Sequence, residues 1–550
     1  MMSRSVSKSC RLLKTGCSFI ELKRLAFSSL MILAILISGC SMVGPDYVKP
    51  TPPEAESWLD SAEPKFETEK SNIGDWWTVF SDPVLNDLIE AAYQQNLTLQ
   101  IAGLRIYEAR AELGIAFGFQ YPQIQEGFGS GSINQDSKNA PNQDSSVLDR
   151  YYANYDLGLG AAWELDVWGK FRRAVQTGVA NLETSIADYD DFLVSLTGEV
   201  ARTYIFLRTS EELLWVARQN VVTQRRSFEI ASERFKFGAV TKLDVLQARA
   251  LLRTTESSIP RLQVDIRRAK NALAVLLGKL PGEIDAMLGG AGTIPEPPDE
   301  VAVGIPAELL RRRPDIRAAE RQLAAQSAQI GFTKADLFPQ FSLFGTLGFQ
   351  TASFTDSRSN NSEFSDLFDK DSFFYSAGGG FRWNILHYGR ITNRVRVEDA
   401  RFQELAVNYD DVVIRAAQET EDAMVGFLRS QEAVVFLADA VTASEESVEV
   451  ALRQYRAGEA DYQRVLDTQR DLLRRQDDLV STAGAVGQNL VGIYRALGGG
   501  WEIRTGQDFI PASLKEEMEN RTNWGNILSP EKTETPPSQE VKSILHKPDW

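Results

Sequence analysis

The chain runs to 550 residues with 59 Lys and Arg against 75 Asp and Glu, a formal net charge of −16. A surface this acidic repels phosphate backbones and argues against a nucleic-acid partner. Two histidines, His387 and His546, and three cysteines are too few for a metal cluster or a His-based catalytic site, so no metal, cofactor or catalytic group is expected.

The elements begin with a targeting segment. Arg4, Lys8, Arg11, Lys14, Lys23 and Arg24 face one acid, Glu21, and an apolar run follows from Leu25 to Ile37. A positive start, a short apolar centre and a small-residue ending predict a signal peptide over 1–39. The run falls short of the roughly 20 apolar residues of a comfortable spanning helix. Ile37-Ser38-Gly39-Cys40 resembles a bacterial lipobox, which makes Cys40 the lipidation site and the first mature residue. Cys10 and Cys17 leave with the signal, so the mature chain has no internal disulfide, and its charge moves from −16 to −21. Ser41 stands where an aspartate would retain many lipoproteins in the inner membrane, which favours the outer membrane. One lipid signal anchors weakly, so a second membrane attachment is expected.

Residues 40–75 are rich in Pro, Glu, Ser and Lys and predict an acylated, extended N-terminal tether with little core of its own. Trp76-Trp77 and Asp82-Pro83 open a helical pattern through Leu85, Leu88, Ile89 and Ala92 to Leu113, ending before Tyr121-Pro122. The periodicity then changes from helical to alternating: Tyr151, Ala153, Tyr155, Leu157, Leu159, Ala161 and Trp163 share one face of a strand. A hairpin over 123–163 and a second over 340–383 fit transmembrane strands, with aromatics near the ends and polar turns at 134–149 and 355–371.

From Gly169 to Phe237 no proline interrupts a helical pattern, and Gly389 to Ala457 repeats it. Such a helix is roughly 100 Å long at 1.5 Å per residue and implies coiled-coil-like packing. Each ends at a glycine turn and returns as a shorter helix, about 241–278 and 460–497, the first bent at Pro260. A Gly- and Pro-rich link, 278–306, leads to a further helix at about 307–337, and from Glu502 to the end a polar, loose tail is predicted.

These elements occur twice. Trp163 returns 220 residues later as Trp383, Gly169 as Gly389, Tyr189-Asp190-Asp191 as Tyr409-Asp410-Asp411, Gly238 as Gly458 and Gly278 as Gly498. A period this long is a duplicated subdomain and not a solenoid unit, with one copy over 76–300 and the second over 301–501. The fold class is an α+β membrane protein. Four strands cannot close a barrel, and open edges in lipid leave backbone groups unsatisfied, so several copies must share one barrel: eight strands from two copies or twelve from three.

Several stretches carry a family resemblance: Val43-Gly44-Pro45-Asp46-Tyr47 after Cys40, then Trp76-Trp77-x-x-Phe80-x-Asp82-Pro83-x-Leu85, Trp163-Glu164-Leu165-Asp166-Val167-Trp168-Gly169-Lys170, Arg312-Arg313-Pro314-Asp315-Ile316-Arg317, and Tyr494-x-Ala496-Leu497-Gly498-Gly499-Gly500-Trp501. In these the chain resembles the outer-membrane efflux channel lipoproteins of tripartite pumps over about residues 40–501. The resemblance implies a homotrimer: a twelve-stranded barrel in outer-membrane lipid, continued by a twelve-helix tunnel across the periplasm. It implies a passive duct for small molecules, fed by a periplasmic adaptor and an inner-membrane pump of the RND type. It also implies that the turns at Gly238 and Gly458 contact the adaptor and that the tunnel closes at this end. Asp467 matches a position whose carboxylates ring the closed pore; Arg464 departs from members carrying an acid there, and Asp461, Tyr455 and Asp244 are further gate contacts.

Two rivals use the same residues. A periplasmic coiled-coil scaffold lipoprotein would need only soluble hairpins, and a channel of type I protein secretion would keep the duct and change the cargo. An enzyme is disfavoured, since Gly498-Gly499-Gly500 lacks the Lys-Ser/Thr of a phosphate loop and the Asp-Asp pairs at 190 and 410 read as solvated helix faces. No Met- or His-rich tract argues for metal cargo.

Overall fold

A computed structural model describes residues 42–51, 57–59, 63–67, 73–137, 139, 151–298, 300–302, 312–354 and 363–528. The predicted signal, Cys40 and residues 529–550 lie outside this set.

The first copy opens on two short helices, α1 (Pro83–Gln95) and α2 (Leu97–Gly118), where the periodicity predicted one. Asn96 divides them. Its ψ of 121° is extended, and its side chain accepts from Leu99 N at 2.8 Å, capping a new helix start. Two antiparallel strands follow, β2 (Ile124–Gln135) and β3 (Tyr151–Leu165), after a two-residue β1 (Phe66–Glu67) in the tether. Then come α3 (Lys170–Lys236), α4 (Lys242–Leu276) and a single turn, α5 (Asp285–Leu288). Pro260 sits inside α4, which continues through it.

The second copy repeats the order with β4 (Val301–Ala302), α6 (Pro314–Ala335), β5 (Gln340–Phe354), β6 (Phe373–Arg382), α7 (Arg390–Ala457) and α8 (Tyr462–Ala496), followed by α9 (Ala512–Arg521). The long helices contain 67 and 68 residues, and both returning helices contain 35. Each long helix starts after a left-handed glycine, Gly169 at φ 76° and Gly389 at φ 78°, a conformation that costs glycine nothing.

Shorter helices run end to end along the long ones. Asn96 Nδ2 donates to Leu276 O at 2.9 Å, so α2 begins where α4 finishes. Arg313 Nη1 donates to Ala496 O at 2.7 Å, so α6 begins where α8 finishes. Both contacts satisfy carbonyls that a helix end would otherwise leave bare.

The hairpins of the two copies join in one antiparallel sheet of order β2-β3-β5-β6. Leu159 stands opposite Leu347 in the central pairing, with Gly158 opposite Gly348. The outer edges of β2 and β6 have no partner strand among the described residues. Residues Phe364–Phe368, ahead of β6, lie against the strands, with Phe364 against Tyr155 at 4.9 Å and Phe368 against Phe349 at 5.7 Å.

Most of the core lies around the middle of the long helices, where Trp76, Tyr107, Tyr189, Tyr204 and Phe427 are fully buried. Three expectations are corrected there. The region from Glu502 to Leu528 is no loose tail: Phe509, Ile510, Met518 and Leu528 are buried, and Phe509 packs edge-on against Tyr189 at 5.2 Å. Its apolar residues are spaced among charges, so only a helix already in place shows what they bury against. The described parts of the tether contribute to the core through Trp58, Phe66 and Ile73, and β1 pairs in parallel with β4. Asp190 is no solvated face, being 0% exposed; Arg317 Nη2 donates to its Oδ2 at 2.5 Å, and Arg504 donates to both carboxylate oxygens. Asp410 and Asp411 are exposed, as predicted.

Candidate functional site

The two glycine turns lie side by side at the far end of the helix pairs from the sheet. In each, the glycine is left-handed, Gly238 at φ 72° and Gly458 at φ 80°. Ala239 N donates to Arg234 O and Glu459 N to Gln454 O, both at 2.9 Å, while each glycine N–H closes a smaller turn, Gly238 to Phe235 O at 2.9 Å and Gly458 to Tyr455 O at 3.1 Å. This is the Schellman arrangement, in which the left-handed residue turns the last carbonyls back onto the chain.

The turns are tied by a residue the sequence did not single out. Arg234, in the last turn of α3, donates through Nη1 to the carbonyls of Tyr455 and Arg456, the latter at 3.2 Å. Its guanidinium lies 4.8 Å from the centre of the Tyr455 ring. A cation is favoured at the negative end of a helix, and Arg234 supplies one to α7 from the neighbouring helix. A cation four residues before the turn glycine was the available signal.

The predicted gate residues divide between surface and core. Asp467 is exposed and accepts two bonds from Gln463 Nε2, at 2.9 and 3.1 Å. Arg464 shares that exposed stripe of α8, opposite buried Val465, Leu466 and Gln469. Asp461 caps α8 by accepting from Arg464 N at 3.3 Å, and Asp244 accepts from both the N–H and the hydroxyl of Thr241 at the start of α4. Tyr455 is 2% exposed and stacks edge-on with Tyr462 at 5.4 Å; it belongs to a small core with Ala231, Leu251 and Leu466. Burial, then the nearby Asp244 carboxylate, pushes the Tyr455 hydroxyl above its ordinary pKa. Asp467 and Arg464 are therefore presented outward, while Tyr455 holds the tip together.

At the level of the core, carboxylates and guanidiniums interleave between α3 and α6. Asp190 binds Arg317 and Arg504, both stacked on Trp501 at 4.9 and 5.5 Å. Arg313 pairs with Asp315 at 2.7 Å and Glu419 at 2.9 Å. Burial, then the charge of Asp315, raises Asp191 to a pKa of about 6, with Arg313 opposing. Arg321 joins Glu183 on α3 to Glu320 on its own helix. Among the described residues no cluster of His, Cys, Asp or Glu is placed to hold a metal ion, and no helix is long and apolar enough to cross a membrane.

Known proteins share this architecture. Nodulation protein T of Rhizobium leguminosarum bv. viciae is 29% identical over 484 residues, covering 86% of this chain and 92% of the relative. The pyoverdine export outer membrane protein OpmQ of Pseudomonas putida is 29% identical over 474 residues, covering 86% of this chain and 97% of the relative. The solved structure of the outer-membrane channel OprN superposes with a TM-score of 0.78 at 32% identity, covering 84% of this chain and 99% of that one. A model of the family described as "Outer membrane efflux protein" matches residues 88–279 and 305–499. The chain belongs to that family, as an efflux channel of the outer membrane.

Proposed function

We propose that the chain works as a homotrimeric, passive exit duct, anchored in outer-membrane lipid through acylated Cys40 and a shared barrel. One observation carries this reading: a four-stranded antiparallel sheet with both outer edges unpaired among the described residues, continuing directly into two helices of 67 and 68 residues. Edge N–H and C=O groups in lipid cost several kcal/mol each, and neighbouring copies remove that cost by pairing β2 with β6. Three copies give twelve strands and, with α3, α4, α7 and α8 from each, twelve tip helices.

The turns at Gly238 and Gly458 then meet a periplasmic adaptor that joins the duct to an inner-membrane pump of the RND type. Asp467 and Arg464 from three copies face a common axis at the tip. Three carboxylates close together repel and are easily biased toward opening, and the guanidinium of Arg464 one turn away offsets part of that repulsion. Asp461 and Asp244 contribute by fixing the starts of α8 and α4, and Tyr455 by packing the tip. Small organic molecules are the proposed cargo, in keeping with a relative named for pyoverdine export.

Planar-bilayer recording of the purified oligomer tests the gate. The intact protein should give a small, mostly closed conductance, and Asp467→Ala should raise the open probability severalfold. An unchanged trace removes Asp467 from the gate. A purified protein that is monomeric in detergent, with no heat-modifiable species, removes the shared barrel.

A further inference from the structure

The first turn of α3 carries three cations, Lys170, Arg172 and Arg173, at the helix end that disfavours them, and Lys170 pairs with Asp336 at 2.9 Å. Asp166 takes up Arg172 at 3.1 Å. Arg173 is 2% exposed and reaches away from its helix: Nε donates to Val43 O at 3.2 Å and Nη2 to Asp46 Oδ1 at 3.0 Å. On its own helix Nη1 finds Gln176 Oε1 at 2.8 Å. The acceptors for this buried charge thus come mainly from an extended strap, residues 42–49.

The strap is seated along its length. Val43 N donates to Trp168 O at 3.0 Å. Gly44, at φ 99°, crosses Gly331 of α6 so closely that a Cβ on it would come within 2.4 Å of Gly331 Cα. Tyr47 and Lys49 both end on Glu320, at 3.0 Å each. Burial raises the Glu320 carboxyl, but Lys49 and Arg321 outweigh burial and hold it below its ordinary pKa.

This socket sits where strands become helices. A Cβ on Gly169 would come within 2.5 Å of Met42 Cγ, and Trp168 Nε1 donates to Pro339 O at 2.7 Å, just before β5. Cys40 precedes Met42 by two residues, no more than about 7 Å of extended chain. We propose that the strap and its Arg173 socket form a depth stop for a phospholipid leaflet. They hold the acyl chains of Cys40 at the inner rim of the sheet, so that lipid anchoring and hairpin insertion become one coupled event. Arg173 is the positioning residue. A short, seated link keeps the effective concentration of strands at the leaflet high, and a slack link lowers it. The inference rests on the reading of Cys40 as acylated and of the sheet as membrane-embedded.

The test uses the full chain in cells. One variant carries about six Gly and Ser residues inserted after Ser41, which leaves every strap contact intact but slackens the link to the lipid. A second carries the same insertion after Ala55, beyond the strap, and a third is Arg173→Met. Palmitate incorporation and the rate of appearance of heat-modifiable oligomer are followed by pulse-chase. All three variants should incorporate palmitate equally, while the Ser41 insertion and Arg173→Met slow oligomer formation about tenfold and the Ala55 insertion changes it by less than about twofold. A wild-type rate with the Ser41 insertion overturns the depth stop, even where Arg173→Met is slow, because that variant alone then reports a folding defect. Failure of the unaltered chain to take up palmitate overturns it together with the Cys40 assignment. A palmitoylated unaltered chain that never forms heat-modifiable oligomer removes the barrel reading instead.

Discussion

Tyr189-Asp190-Asp191 and Tyr409-Asp410-Asp411 occupy equivalent turns of two equivalent helices. Their tyrosines behave alike, both buried, at 1% and 3% exposure. Their aspartates do not. Asp190 is enclosed with Arg317 and Arg504, whereas Asp410 is exposed and Asp411 makes only a surface pair with Arg415 at 2.8 Å. The cause is the segment after the second copy: residues 501–528 fold back over the first copy, bringing Arg504, Trp501 and Phe509 to α3. One tail cannot cover two copies, so duplication preserved the helices and not their surroundings.

The comparison breaks most severely if the tail is unseated. Phe509→Ala removes a ring that is 3% exposed and should cost about 4 kcal/mol, read as a lower melting temperature with loss of protection at α9 in hydrogen exchange. A loss below about 1 kcal/mol would mean the tail is not part of the core. Next comes the aspartate pair itself. Asp190→Ala leaves two guanidiniums without their shared carboxylate and should cost about 3 kcal/mol, with Arg317, 34% exposed, holding the value at the low end. The matched Asp410→Ala should stay within about 0.5 kcal/mol. Equal losses at the two positions would refute the asymmetry.

A smaller effect sharpens the same contrast by pH. Asp191 has a folded pKa of about 6, above that of a free carboxylate, so the folded state holds its proton more tightly. Stability should therefore fall as pH rises from about 4 to about 6, and Asp191→Asn should remove that dependence and gain about 1 kcal/mol at pH 7. Melting temperatures at pH 4.5 and 7 check it; a variant that retains the full slope assigns the titration elsewhere.

Much of the molecule was legible in the chain. Helix lengths, glycine turns and hairpins follow from periodicity and from a few residues of special backbone freedom, because these are local properties. The division at Asn96 was missed since a single capping residue leaves the apolar spacing on either side nearly in phase. At the tip, Asp467 and Arg464 were reached through the family resemblance alone, and the structure places both on the exposed face of α8. Arg234 was not legible, because its acceptors, Tyr455 O and Arg456 O, are more than 220 residues away in sequence. Arg173 was equally hidden: a cation in a first helical turn signals a missing partner without naming it.

By itself the sequence determined that the chain is duplicated and built from paired long helices and two hairpins. These depend on spacing, length and count, which no tertiary contact can change. Only the tertiary structure decided that Asp190 is buried while Asp410 is not, that residues 502–528 belong to the core, and that residues 42–49 have a seat. Burial and pairing depend on which distant segment arrives at a surface, and that is a property of the assembled helices.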